Sequence, residues 1–270
     1  MNLFDKIVYG LMGTMPTPSH YSVWHLVSIL LVIITCVFVC LFLGKAKEKT
    51  VKFTLLGIWI ALVLFEVYKQ IIFAFNYNDG NPTYSLAWYS FPFQLCSSIL
   101  YVLPFVIFLK DGKVKDACIS YLTTFSLFGG LAVYVFPGDV FMKYIGINIQ
   151  TMFHHGSQIV VAVLLIARNK DKLNLSFLIK ALPVFAILCL IAIILNEVVI
   201  YLIPSGHTFN MFYISSRFDC TLPILSMIYP VIPYPLFLIM YILGFTLIAF
   251  IIFYAQKGIV YLVNKYAVKK

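Results

Sequence analysis

Three groups of residues in this 270-residue chain have types and spacing suited to chemistry. Thr151, His154, His155 and Gln158 recur at three- and four-residue intervals in an otherwise apolar run, so on a helix they form one polar stripe. Glu66 and Lys69, three apart, share a helical face with Gln70 and Phe73. Cys96 follows Ser90-Phe91-Pro92-Phe93-Gln94-Leu95, where the proline suits a first helical turn because its missing N–H would be unpaired there anyway. Histidine titrates in the range useful for proton transfer. A cysteine and a histidine make a nucleophile and base that need only proximity in space. His25, beside Trp24, and the pair Asn196-Glu197 are expected at similar depth and could orient such a base.

Each group also has a plainer reading. A charge at membrane depth costs ~2.5–3.5 kcal/mol on insertion scales, so Glu66 and Lys69 read equally as a structural ion pair facing the bundle interior. A cysteine in an apolar helix behaves as a small hydrophobe, and paired histidines can be hydrogen-bonded core residues. His20 and His207 read as solvated surface residues. The chain lacks an H-E-x-x-H or comparable metal-ligand spacing, and adjacent His154 and His155 point ~100° apart on a helix, so no metal and no cofactor is expected. The six cysteines contain no C-x-x-C pair, so neither a disulfide framework nor a zinc site is expected.

The elements that must position these residues follow from composition. Hydrophobic residues make up 62% and charged residues 11%, with mean hydropathy +0.98, which excludes a soluble domain with one core. A bilayer core of ~30 Å needs ~20 apolar residues per helix. Runs of that length predict an all-α polytopic membrane protein with seven transmembrane helices, near 21–43, 53–75, 92–109, 117–136, 149–167, 179–203 and 235–254. Fifteen of the 19 Lys and Arg fall in the loops on one side, from Lys45 to Lys270. Lys6, Lys143 and Arg217 fall on the other side, and Lys69 lies within a span. The positive-inside rule then sets the N-terminus outside and the C-terminus inside. All five histidines, with Glu66 and Glu197, converge toward the outer side.

The net charge of +9 reports this topology and contact with anionic lipid; no interleaving of basic and aromatic residues suggests nucleic acid as a partner. The first twenty residues lack a basic region followed by an apolar run, so the first span is expected to serve as the insertion signal. Residues 1–270 read as a single seven-helix transmembrane domain. Its longest break, about 204–234, carries Pro223, Pro230 and Pro233 around a short apolar stretch and reads as an interfacial or re-entrant cap over the outer face.

The sequence resembles the YwaF-like bacterial integral membrane family, related to the eukaryotic transmembrane protein 164 acyltransferases. The likeness rests on His20-Tyr21-Ser22-Val23-Trp24-His25, Glu66, Phe91-Pro92-Phe93-Gln94-Leu95-Cys96, Phe136-Pro137-Gly138-Asp139, His155-Gly156, Asn196 and Asn210-Met211-Phe212-Tyr213, in order over almost the whole chain. Phenylalanine on both sides of Pro92, and Phe212 in place of a tyrosine-rich run, depart from the family's pattern.

The resemblance implies lipid acyl transfer, with Cys96 as nucleophile and His155 as base. On this reading the chain is a multi-pass cell-membrane acyltransferase or acyl-ester or thioester hydrolase, working near the outer leaflet on a phospholipid or other acyl lipid. The acceptor would be a lysolipid, a lipoprotein terminus or water. Glu66, His25 and Glu197 are candidates to orient the imidazole, Lys69 and Asn196 to stabilise an oxyanion, and His154 is expected to matter less than His155. The alternative is a transporter or ligand-binding membrane protein with a polar Glu/Lys/His cavity, since intramembrane ionisable residues mark such paths as well.

Overall fold

The computed structural model describes residues 1–78 and 81–267. Lys269 and Lys270, counted above among the basic residues, lie outside the described residues. The chain is a bundle of apolar helices. After α1 (Leu3–Leu11), the helices are α2 (Val23–Leu43), α3 (Glu48–Ala74), α4 (Cys96–Phe108), α5 (Lys113–Val135), α6 (Ile145–Lys172), α7 (Leu175–Leu202) and α8 (Tyr234–Ala267). Six of these, α2, α3 and α5 to α8, are long and apolar enough to cross a membrane. In α2, α3 and α8 the exposed faces carry large hydrophobic residues such as Leu30, Leu64 and Leu247, as expected where the surrounding solvent is lipid.

The third predicted span differs from the expected full-length helix. Pro92 does not open it: Phe93 N–H bonds to Phe91 O (2.7 Å) in a tight turn, and helix begins only at Cys96. At ~1.5 Å per residue α4 is ~20 Å long, short of a bilayer core. It nevertheless runs antiparallel to α3. Its start faces Glu66 and Lys69, its middle accepts the Trp59 indole N–H at Leu100 O (2.9 Å), and its end lies beside Lys52. The irregular run before Cys96 is held by side chains: Tyr101 Oη donates to Pro92 O (2.7 Å) and Gln70 Nε2 to Ser90 O (2.8 Å). Non-helical backbone at membrane depth is tolerated where it is buried in protein or lines a cavity, and this segment does both.

The segments between the helices carry structure of their own. Phe75–Asn78 (β1) pairs antiparallel with Asn81–Tyr84 (β2). The N-terminal tail forms α1, started by a reciprocal Asn2–Asp5 capping box. It docks through Tyr84 Oη to Asp5 Oδ1 (2.9 Å) and Tyr68 Oη to Leu11 O (3.0 Å). The segment read as a cap is a series of short turns, including Met211–Tyr213 and Leu225–Ile228, with Phe209, Met211, Phe212 and Ile214 buried.

α5 and α6 meet closely because of glycine. A Cβ at Gly130 would lie 2.7 Å from His155 O, and one at Gly156 would lie 2.7 Å from Val32 Cγ2 and 2.9 Å from Tyr134 Oη. Mid-way, α5 widens into a π turn over Leu122–Ser126, where the Thr123 and Thr124 hydroxyls bond back to the preceding turn. This bulge turns Ser126 toward α6.

Candidate functional site

A cavity of about 270 Å³ opens where the start of α4, the C-terminal part of α3, the N-terminal part of α6 and the cap segment converge. Cys96, His154, His155, Glu66 and Lys69 all line it, joined by Thr151, Gln150 and Tyr213. Three helices, α3, α4 and α6, thus bring the proposed thiol, both histidines and the ion pair to one space.

The hydrogen bonds set the histidine tautomers. His155 Nδ1 lies 2.8 Å from Thr151 O, and His154 Nε2 lies 3.0 Å from Cys96 O. A carbonyl oxygen only accepts, so each of these nitrogens carries the proton when the ring is neutral. The opposite nitrogens, His155 Nε2 and His154 Nδ1, are then acceptors, and both are buried without a protein partner among the described residues. The 8% exposed His155 thus offers an unprotonated Nε2 lone pair, the form a general base requires.

Cys96 is fixed through its backbone. Its carbonyl accepts from His154 Nε2 and from Gln158 Nε2 (2.9 Å), and Gln158 Nε2 also reaches Ser126 Oγ (3.1 Å) at the α5 bulge. A Cβ at Gly129 would sit 3.5 Å from Cys96 Cα, so α5 presents a small surface where Cys96 packs. Sequence reading found the stripe that holds Gln158 but not its task, because that task depends on a carbonyl more than sixty positions away.

Glu66 is 6% exposed. Its Oε1 accepts from Lys69 Nζ (2.8 Å) and Gln70 Nε2 (2.8 Å), while the buried Oε2 has no protein partner among the described residues. The ion pair therefore exists and also borders the cavity, so the structural and site readings of Glu66 coexist. Gln70, through Ser90 O, ties the same face of α3 to the segment leading to Cys96.

The other predicted supporting residues lie elsewhere. His25 is fully buried, accepts Tyr21 N–H at Nδ1 (3.1 Å) beside the start of α2, and packs on Phe141 and Tyr134; it does not line the cavity. Asn196 is occupied by the cap: its Nδ2 donates to Met211 O (3.0 Å) and its Oδ1 accepts Met211 N–H (2.7 Å). Glu197 faces the cap loop, bonded to Ser216 Oγ (2.6 Å) and Arg217 (3.4 Å). Depth along the bilayer suggested these three, but neither α2 nor α7 contributes a residue to the cavity wall. His20 bonds Gly138 O (2.9 Å) and His207 borders a separate hollow in the cap loop.

Gln94 and Tyr213, given no role by the sequence reading although they fall within the runs it quotes, shape the cavity. Gln94 holds the cap with both amide atoms, donating to Asn210 O (2.9 Å) and accepting Phe212 N–H (2.8 Å). The cap chain here is left-handed at Phe212 (φ 58°) and Tyr213 (φ 57°), a conformation costing ~1–3 kcal/mol per non-glycine residue. Clamped by Gln94 on one side and Asn196 on the other, the turn carries Tyr213 to the cavity wall. All six cysteines are free thiols. Among the described residues no cluster of three His, Cys, Asp or Glu is arranged to hold a metal ion.

A family model, that of the TMEM164 family, matches residues 20–256. No curated protein and no solved structure matches the chain.

Proposed function

Because the chain belongs to the TMEM164 family, we propose that it is a multi-pass cell-membrane enzyme that transfers or hydrolyses acyl groups of lipids through Cys96. The observation that carries this reading is His155, whose Nε2 lone pair is buried and unpartnered in the cavity that Cys96 also lines. Nε2 takes the Cys96 thiol proton, and the thiolate attacks the ester carbonyl, forming the C–S bond. Collapse of the tetrahedral intermediate breaks the C–O bond, and the leaving alkoxide takes the proton back from the imidazolium. An acceptor hydroxyl or water then gives its proton to His155, attacks the thioester, and releases the thiol.

The Lys69 ammonium and the N–H groups of Cys96 and Ser97 at the start of α4 are the donors suited to the developing oxyanion. The Glu66 carboxylate, bonded to Lys69, stabilises the imidazolium from across the cavity. Seven passages of the chain, with the N-terminus and the cavity toward the outer leaflet, complete the reading.

The transporter alternative is less well supported. Between the cavity and the basic end of the bundle, the buried positions Ile99 and Leu103 on α4 and Val161 and Leu164 on α6 are apolar, and the buried hydroxyls of Ser120, Thr123 and Thr124 on α5 are spent on backbone carbonyls. The deciding experiment incubates purified protein with alkyne-tagged phospholipid and maps the hydroxylamine-labile adduct. Acylation confined to Cys96 is expected. Unchanged turnover in Cys96→Ala, together with solute flux that depends on Glu66 and Lys69, would favour the transporter instead.

A further inference from the structure

At the end of the bundle opposite Cys96, the start of α3, the end of α4, the start of α5 and the end of α6 part around a cavity of about 720 Å³. This is within the size range of small-molecule sites. Its inner wall is apolar, formed by Val51, Leu55, Val106 and Ile107. Its rim is basic, and every acid on it is already engaged. Glu48 pairs with Arg168, Asp111 with Lys115 (2.9 Å), and Asp116 with Lys172 (3.3 Å) and Lys180 (3.0 Å). The Lys115 ammonium also holds the Asp111 carboxyl below its usual range, so that acid stays ionised and committed.

Lys49, Lys52 and Lys110 remain. Among the described residues no carboxylate lies within ion-pair distance of any of them. Lys49 Nζ sits 6.0 Å from the Phe53 ring centroid and Lys52 Nζ 5.7 Å from that of Phe108. A ring face steadies an ammonium without using up its N–H donors. Phe53 and Phe108 are themselves exposed apolar residues, so the uncommitted cations lie at the border of a lipid-facing surface.

We propose that this cavity binds the headgroup of an anionic phospholipid, with the phosphate among Lys49, Lys52 and Lys110 and the chains passing out over Phe53 and Phe108. Basic hollows between transmembrane helices recognise anionic headgroups, and each lysine near the surface adds to the attraction. The amphipathic lining favours a lipid over free phosphate, because a soluble anion would leave the apolar wall wet.

The test measures lipid retained by the full-length protein in native mass spectra, after exchange into phosphatidylcholine with a minor fraction of phosphatidylglycerol. Retained phosphatidylglycerol is expected to fall about a hundredfold in the Lys49→Gln, Lys52→Gln, Lys110→Gln variant. It should stay unchanged in a control with Lys45→Gln, Lys47→Gln and Lys257→Gln, which are basic positions at the same end outside the cavity. Equal loss in both would mean diffuse attraction to the basic loops and would overturn the site. Displacement of the lipid by inorganic phosphate as effectively as by added phosphatidylglycerol would overturn a lipid occupant. If the triple variant does not fold, Lys110→Gln alone, at an exposed position, should lose about fivefold, and no loss there would also overturn the proposal.

Discussion

His154 Nε2 donates to the carbonyl of Cys96 at 3.0 Å, so the residue beside the proposed base holds the proposed nucleophile in place. Adjacent positions on one helix turn divide two tasks: His154 clamps the Cys96 backbone, and His155 keeps a free lone pair in the cavity. His154, expected from the sequence to matter less than His155, lines the same cavity.

The clamp predicts that Gln158→Leu and His154→Ala each slow acylation of Cys96 and lower thermal stability. Leaving a buried partner unsatisfied costs ~1–3 kcal/mol. Acylation rates followed with the tagged lipid, beside melting curves, check this. Full rates in both variants would show that the Cys96 carbonyl needs no anchoring.

For the base, His155→Ala should retain the fold but acylate Cys96 ~10²- to 10⁴-fold more slowly, the usual loss on removing a general base. Imidazole added to the assay should restore part of the rate. A variant as fast as the parent would remove His155 from the mechanism.

Helix contact at glycine gives a stability prediction independent of function. Gly130→Ala and Gly156→Ala each place a methyl group at 2.7 Å from an existing atom. Overpacking of that kind costs ~1–3 kcal/mol. Gly57→Ala and Gly244→Ala meet nothing within 4 Å and sit in helices, so they should be neutral or stabilising. Melting temperatures in one detergent would separate the two pairs.

The cap depends on Asn196. Replacing it by leucine strands the N–H and carbonyl of Met211, both now bonded to its amide, and releases the left-handed turn that carries Tyr213. Faster proteolysis of the cap segment is expected, and cleavage as slow as in the parent would count against the clamp.

Orientation can be read with impermeant thiol reagents in a cysteine-free background. A cysteine at Thr83 should label in intact cells and one at Lys170 only after permeabilisation; both positions are exposed. The reverse pattern would put the Cys96 cavity on the inner side.

The sequence by itself determined a helical membrane protein, because apolar runs of bilayer length leave the backbone no alternative to internal hydrogen bonding. It also determined the ion pair and the polar stripe, since three- and four-residue spacing fixes which side chains share a helical face. Depth along each helix was legible in the same way, which is why Cys96, His155 and Glu66 could be named together.

Which helices border the cavity and the paths of irregular segments were decided only by tertiary structure. Whether His25, Asn196 and Glu197 face the cavity depends on packing against neighbours that no local pattern encodes, and the folded bundle turns all three to other tasks. The shortened α4 has the same origin. Proline permits a helix to begin at Pro92, but side chains from α3, α4 and the cap hold the preceding backbone in another course. The clamp on Cys96 joins side chains of α6 to a carbonyl on α4 across a glycine surface on α5, a relation between distant residues that exists only once the helices have packed.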